Sequence, residues 1–528
     1  MSLPNINTRN FMIGMVAGGF ALLVSFVLRE ASGVAFIPEM GAQVLFSVTP
    51  GTIESTAVEN LQSYAKYSTF IGATIITMVL YGVVGLAGSR TGAVRYGTKS
   101  KQLVVFFMSS FSLFLVIGIV LLILGQVRTV PVSLPILVLS LLPPQIAFSA
   151  VFASFVRFPP KPVEMCQIAT PPQGKQFDRR RRLFVKAGVA TVVAAAILAY
   201  GVGFLLPRME SSYKPGSITS NLSSLMSLEI TPVDQFYRVD VNIIPPSVNA
   251  DTWNLSISGL VDNPFTFSFN DISNLVTVEQ YNTLECVSNE IGGNLISTAR
   301  WKGVRLKDLL NKAGLQPSAQ YIVFKCVDGY DVGIPVDRAL LDGTLLTFEM
   351  NGQPLPTEHG YPIRALVPGL YGMMNPKWIT GIEAVNGVYE GYWQRRGWTN
   401  DARYETMSDV VVPGSAAVTE RFNIQGSNLV PLGVVPIAGI AFAGDRGISK
   451  VEVSTDGGVS WMTASVKDPL SDYTWVLWSA EWNPPKTGNY KIMVRATDGV
   501  GNLQTATVTN PFPNGATGYH VLDISIVS

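Results

Sequence analysis

Five apolar stretches, near residues 11–28, 69–88, 103–125, 132–156 and 184–206, are long enough to cross the roughly 30 Å hydrocarbon core of a bilayer. The fourth carries Pro135, Pro143 and Pro144, which predict a kink. Residues 208–227 are rich in Ser, Pro and Gly and read as a linker. From 228 to 408, short apolar strands (TWNLSISGL, YIVFKCV, YPIRALVP) mix with helical runs such as VRLKDLLNKAGL. This pattern predicts an α+β domain. No GxGxxG follows a strand, so a dinucleotide fold has no support. From 409 to 528 the chain alternates in short strands broken by Gly, Asp and Asn turns, as in ISKVEVSTDGG and YKIMVRATDGVGNLQ. That spacing predicts an immunoglobulin-like β-sandwich. The expected chain is therefore multi-domain: an N-terminal all-α transmembrane bundle (1–207), an α+β domain and a C-terminal sandwich.

Charge divides along the same line. The first 207 residues hold 16 Lys+Arg against 6 Asp+Glu, leaving 22 and 31 for the rest, a net charge of −9 there. An acidic soluble half argues against a nucleic-acid partner. Loops 89–102 and 157–183 are basic, with Arg90, Arg95, Lys99, Lys101 in one and Arg157, Lys161, Lys175 and Arg179–Arg182 in the other. Loop 29–68 carries Glu30, Glu39, Glu54 and Glu59, and loop 126–131 only Arg128. The positive-inside rule then predicts a multi-pass cell-membrane protein with a cytoplasmic N-terminus and everything after residue 207 outside. RRRLFVK (180–186) fits a twin-arginine export signal, or an ordinary basic anchor at a cytoplasmic helix end. The chain's two histidines, His359 and His520, lie outside the spans, which excludes bis-histidine haem in the membrane. No charge falls deep in a span, so the membrane region reads as an anchor or docking platform rather than a transporter.

Candidate chemistry begins at Cys286, in TLECVSNEIGG (283–293), one of three cysteines too widely spaced for a disulfide framework. A free Cys is commonly a small buried hydrophobe, and a thiolate is also a soft metal ligand. HGYPIRALVPGLYGMMNPKWI (359–379) brings His359, Arg364 and Lys377 into 19 residues. An Arg fork with a Lys point charge is the pair expected for a phosphate group. The surrounding Gly and Pro residues suit close approach of backbone to a rigid ligand.

TLECVSNEIGG, TARWKGVRLKDLL, MNGQPLPTEHGYPIRALVPGLYG, PKWI and GYWQRRGW resemble the catalytic domain of the sulfite oxidase family of molybdopterin enzymes. VEVSTDGGVSW and VRATDGVGNLQ are similar to that family's dimerisation domain, so the resemblance covers about residues 228–525. The anchor in front of it looks like that of prokaryotic membrane-bound relatives. The resemblance implies a molybdenum–molybdopterin cofactor, with Cys286 as the thiolate on molybdenum. It implies that His359, Arg364 and Lys377 grip the pterin phosphate, with Asn375 and Pro376 beside them. Phe236, Tyr237 and Arg238 match a stretch packed against the cofactor, and Cys326 a pterin contact with Asp328 close by. A buried strand cysteine is the alternative for Cys326.

The departures bear on substrate. A Tyr expected near molybdenum is Trp398 here; the substrate arginine falls at Val239, with Arg238 one place off, and a further arginine is Ile291. In a strand, one place reverses the side chain's face. A sulfite-specific pocket is not what these residues predict, although sulfite oxidation proper stays open beside reduction of a sulfoxide or N-oxide. The expected protein is a molybdopterin oxidoreductase transferring an oxygen atom and two electrons on a small substrate, with Cys286, Trp398 and Arg238 at the reacting centre. The chain shows no haem-binding or iron–sulfur motif, which predicts a separate electron carrier, a cytochrome or a quinone-linked membrane protein. A homodimer is allowed. The rival from another class is a non-catalytic, membrane-tethered binding protein that keeps the fold.

Overall fold

The protein is described from a computed structural model covering residues 6–32, 34–49, 63–90, 98–125, 134–156, 229–242, 245–413 and 428–528. The fifth expected span, the RRRLFVK motif, the third cysteine and the linker lie outside these residues. Two compact units are present.

The first unit is built from α1 (Ile6–Ser32), α2 (Ile37–Val48), α3 (Ser63–Arg90), α4 (Lys99–Gly125) and α5 (Leu134–Phe155). Within them, Asn7–Arg29, Thr69–Arg90, Ser100–Leu124 and Leu134–Phe155 are long and apolar enough to cross a membrane. Their facing sides bury Ala17, Ala21, Tyr81, Phe106, Phe114, Phe148 and Phe152. Ile75, Val104, Leu139 and other large apolar residues stay exposed, as expected of faces meant for lipid. Packing is supplemented by polar glue, with Gln145 Nε2 donating to the Tyr81 hydroxyl at 2.8 Å. The apolar pattern predicts a plain loop over 29–68, and here the structure differs: α2 occupies part of it. At 12 residues α2 is too short to span, and its Glu39 interrupts the apolar run. That charge is held by Arg29 in a two-point ion pair, Nε to Oε2 at 2.9 Å and Nη2 to Oε1 at 3.3 Å, with both side chains buried.

The second unit contains two mixed α+β layers and two further sheets. One sheet runs β2 (Phe265–Ser268), β1 (Asn254–Gly259), β10 (Ile379–Val385), β5 (Tyr321–Cys326) and β6 (Asp331–Pro335). In it, only β1 and β10 pair in parallel. The other runs β3 (Val278–Glu285), β4 (Ile296–Arg305), β7 (Leu345–Met350) and β8 (Gln353–Pro354), with β9 (Arg364–Leu366) also on β7. The helix Leu306–Ala313 buries Leu306, Leu309, Leu310 and Ala313, the spacing of one apolar stripe. From β11 (Met407–Val412) onward the strands form a four-stranded sheet, which includes β11, and a five-stranded sheet. Ile437 and Trp478 from the first of these share one core with Val453, Val494 and Ile524 from the second.

Two features position the site. Strand β3 leads directly into Cys286, and the turn from 286 to 295 returns the chain into β4 with Glu285 opposite Ile296. Strand β9 sets Arg364 at its first residue, buried.

Breaking a buried ion pair from one side leaves an uncompensated charge, so Glu39→Ala is expected to destabilise the helical unit by about 3–5 kcal/mol. Arg29→Met combined with Glu39→Leu should recover most of the loss. Thermal unfolding of the detergent-solubilised chain measures both.

Candidate active site

A cleft of about 950 Å³, mouth included, is lined by Phe236, Tyr237, Val239, Asp240, Val241, Cys286, Ser288, Asp328, Tyr330, His359, Arg364, Met373, Asn375, Pro376, Lys377, Trp378, Trp393 and Trp398, among others. Cys286, at the end of β3, is buried, and its Sγ lies 3.0 Å from Ser288 Oγ. Burial raises the thiol's pKa, against which the Ser288 contacts and the charge of Lys377 act. The turn is closed by the Cys286 amide donating to Leu295 O at 2.8 Å. Asn289 reinforces it, donating to Glu285 Oε1 at 2.9 Å and accepting from the Leu295 amide at 2.8 Å.

The cationic corner is built from two segments. Arg364 donates to His359 O and Asn375 O, each at 3.2 Å, and lies 5.1 Å from the Trp301 ring centre. Its Nε is buried without a hydrogen-bond acceptor. Lys377 donates to Glu358 O at 2.9 Å and to Asp240 Oδ2 at 3.2 Å. His359 Nε2 lies 3.3 Å from Val233 O. A carbonyl only accepts, so this contact places the imidazole proton on Nε2. Gly360, at φ 114°, permits the crowding: a Cβ there would lie 3.0 Å from Lys377 Cβ and 3.1 Å from Arg364 Cβ.

Burial lowers the pKa of all three groups. It takes Lys377 to about 8, and His359 to about 3 with Lys377 and Arg364 repelling its charged form as well. Arg364 falls to about 10. Desolvated cations whose charged forms are disfavoured, with an unsatisfied Arg N–H among them, make a site short of anion. A terminal phosphate, as on molybdopterin, fits that deficit. Elsewhere on the wall, burial lifts the Asp328 carboxyl to about 6, although it accepts from Asn242 Nδ2 at 2.7 Å and the Tyr330 amide at 3.1 Å.

Of the residues singled out above, Cys286, Phe236, Tyr237, Asp328, His359, Arg364, Asn375, Pro376, Lys377 and Trp398 all line this one cleft, as does Val239. Phe236 packs edge-on against His359 and Trp301 and stacks on Tyr237. Asn375 is a scaffold: its Oδ1 accepts from the Val367 amide at 2.6 Å, and its Nδ2 donates to Leu370 O and Tyr371 O. Trp398 is buried, with Nε1 lacking an acceptor. Three residues discussed above lie outside the lining set. Arg238 is not a wall residue; its neighbour Val239 takes that place, and its guanidinium pairs with Asp240 at 2.8 Å. Cys326 lies in the core at the end of β5, outside the lining set. Ile291 is half-buried and outside the lining set as well. Sequence reasoning passed over Asp240, Ser288, Met373 and Trp393. Only Ser288, two residues from Cys286, carried a local signal.

Residues 242–393 match the family profile described as "Oxidoreductase molybdopterin binding domain", and residues 412–513 that described as "Mo-co oxidoreductase dimerisation domain". Over 155 residues the chain is 34% identical to the uncharacterized oxidoreductase YuiH of Bacillus subtilis, covering 76% of that protein and 29% of this one. The chain belongs to the sulfite oxidase family of molybdopterin oxidoreductases. It is 32% identical over 320 residues to mitochondrial sulfite oxidase of Homo sapiens, a match spanning 53% of this chain and 58% of that protein. The chain thus spans somewhat more than half the length of the mammalian sulfite oxidases it matches. Among solved structures, the sulfane dehydrogenase SoxCD from Paracoccus pantotrophus aligns with a TM-score of 0.48 and 22% identity, over 57% of this chain and 84% of that one.

A histidine whose pKa is lower folded than unfolded takes up its proton first in the unfolded chain, so folding weakens as pH drops from about 6.5 towards 3. In cofactor-free protein, the His359 contribution should approach 1.4 kcal/mol per pH unit in that window, roughly the slope of one proton. Thermal unfolding of wild type and His359→Gln across pH 4–7 measures it, and the variant should show the shallower dependence.

Proposed function

We propose that the protein is a membrane-anchored molybdenum–molybdopterin oxidoreductase acting on a small, neutral oxygen-atom acceptor or donor outside the cytoplasm. The observation that carries this reading is the shared cleft, with a buried thiol on one wall and an anion-deficient trio of His359, Arg364 and Lys377 on another. When bound, the molybdenum cofactor supplies two-electron oxygen-atom transfer, which no side chain here can perform. Cys286 would hold the metal, and Arg364, Lys377 and His359 the pterin phosphate. Asn375 keeps the loop from Val367 to Asn375 in place, and Phe236 and Tyr237 pack the floor.

The wall left for a substrate favours a neutral molecule. Among the described residues, Arg364 and Lys377 are the lining cations, and both belong to the phosphate corner. Val239, Val241, Met373, Trp393 and Trp398 supply apolar surface and one indole N–H without an acceptor. A sulfoxide or N-oxide fits such a wall better than a sulfite anion, whose desolvation would go uncompensated. Asp328, raised to about 6, is a group on that wall able to exchange a proton near neutral pH.

The four apolar helices support membrane anchoring, and the basic loops a cytoplasmic N-terminus. Electrons would pass to or from a separate cytochrome or quinone-linked membrane protein. The matched dimerisation profile supports a homodimer, and the two sheets built from β11 onward, sharing one core, an immunoglobulin-like arrangement.

Cys286→Ser should abolish turnover while retaining pterin, whereas Arg364→Met should release the pterin. Pterin fluorescence, metal analysis and turnover with an artificial electron carrier separate the two, and undiminished turnover of Cys286→Ser sinks the assignment. On the substrate side, Val239→Arg should raise kcat/KM for sulfite relative to a dialkyl sulfoxide by about tenfold or more, the effect of one charge-assisted contact.

A further inference from the structure

The turn that carries Cys286 is fastened at its tip by residues from the all-β part of the unit. Asp409, buried in β11, accepts the Gly292 amide on Oδ1 at 3.0 Å. His520, at the start of the last strand (His520–Val527), lies against the same glycine. A Cβ at residue 292 would lie 2.9 Å from His520 Nε2 and 3.1 Å from its Cε1. Gly292 also has φ 72°, so the position is closed to side chains twice over. The ring is fixed in turn, since the Val410 amide donates to His520 Nδ1 at 3.1 Å. A nitrogen that accepts carries no proton, which places the neutral ring's proton on Nε2.

The strand leading into the turn is held from the same side. Thr283 donates its amide to Tyr473 O and accepts from the Trp475 amide on Oγ1, both at 2.9 Å. Ser471 Oγ donates to Tyr281 O at 2.6 Å. The turn's own hydrogen bonds close its base between Cys286 and Leu295 and brace its arc, with the Asn289 amide donating to Cys286 O at 3.0 Å and the Gly293 amide to Glu290 O at 2.9 Å. From outside the turn, the Asp409 carboxylate and the His520 ring meet Gly292.

We infer that Asp409 and His520 are positioning residues that set where the Cys286 thiol stands in the cleft, making the C-terminal β region part of the active site's support. A backbone amide bound to a buried carboxylate is a strong, directional tether. The ring prevents Gly292 from rotating off it. The tether is a property of the turn alone; its effect on turnover rests on the reading of Cys286 given above.

The test uses the full chain produced without molybdenum cofactor, with alkylation by iodoacetamide followed at Cys286 and Cys326 by mass spectrometry. Cys326, buried in β5 away from the turn, reports general loosening. Asp409→Ala should speed Cys286 alkylation about tenfold, the equilibrium effect of losing one hydrogen bond to a charged group, with Cys326 unchanged. Asp409→Asn keeps an oxygen for the Gly292 amide and should restore the wild-type rate. Should Asp409→Ala not fold, Gly292→Ala replaces it: that variant should speed Cys286 alkylation, and adding His520→Ala, which vacates the ring's space, should reverse part of the increase. Unchanged Cys286 reactivity, a parallel rise at Cys326, or Asp409→Asn behaving as Asp409→Ala would each overturn the proposal. None of these readouts needs bound metal or turnover, so failure of the tether and failure of the molybdenum reading are separately visible.

Discussion

The site depends on an excess of buried positive charge. Arg364 is buried, Lys377 keeps only 12% of its side chain exposed, His359 stands beside them, and Asp240 is a carboxylate paired with Lys377. Such a cluster costs folding free energy unless an anion completes it. Much of the local architecture serves to hold it regardless. Main-chain carbonyls of His359, Asn375 and Glu358 accept from the cations, Trp301 lies beside Arg364, and Gly360 removes the side chain that would wedge the group apart. The tension is released by a ligand carrying concentrated negative charge, which is why the corner reads as a phosphate site and not as surface charge.

The thiol wall has the opposite character. Burial opposes ionisation of Cys286, and Ser288 only partly offsets it. A metal cation would reverse that balance by binding the thiolate directly. The two halves of the cleft are therefore complementary: one lacks an anion, and the other lacks a cation. A single cofactor with a phosphate at one end and a metal at the other satisfies both, whereas a free anion or a free metal ion satisfies one. This complementarity favours an enzyme over a binding protein that merely kept the fold.

Four apolar helices and the strands were legible because their periodicities, continuous apolarity and alternation, are set by what surrounds each element. Cys286, His359, Arg364 and Lys377 stood out because few side chains can do such chemistry, and the fold brings all four to one cleft. Arg238 sits in an irregular extended segment, where facing is decided by tertiary packing; Val239 takes the place on the wall, and the Arg238 guanidinium pairs with Asp240. Asp240 itself was invisible, since a single acid in a polar stretch gains meaning only when Lys377, 137 positions away, meets it. Helix α2 escaped notice because Glu39 breaks its apolar face, and its partner Arg29 lies across a turn on another helix. Cys326 shows the converse: the family resemblance suggested a pterin contact beside the reading as a buried strand cysteine, and the pleat of β5 puts the side chain in the core.

Selectivity in this cleft follows from where its charges are already spent. Lys377 is engaged by Asp240 and a carbonyl, and Arg364 by two carbonyls. Each has little left for a substrate once a phosphate takes the remaining donors. On the rest of the wall, discrimination falls to Val239, Met373, Trp393 and Trp398, which can offer shape, dispersion and indole N–H donors. A wall of that kind distinguishes poorly among apolar substituents, where one methylene is worth about 1–3 kcal/mol, and strongly against a bare anion that it cannot solvate. The expected enzyme is thus tolerant of what is attached to the reacting oxide and intolerant of charge on it. Broad substrate range and weak turnover of sulfite would be two faces of one physical property.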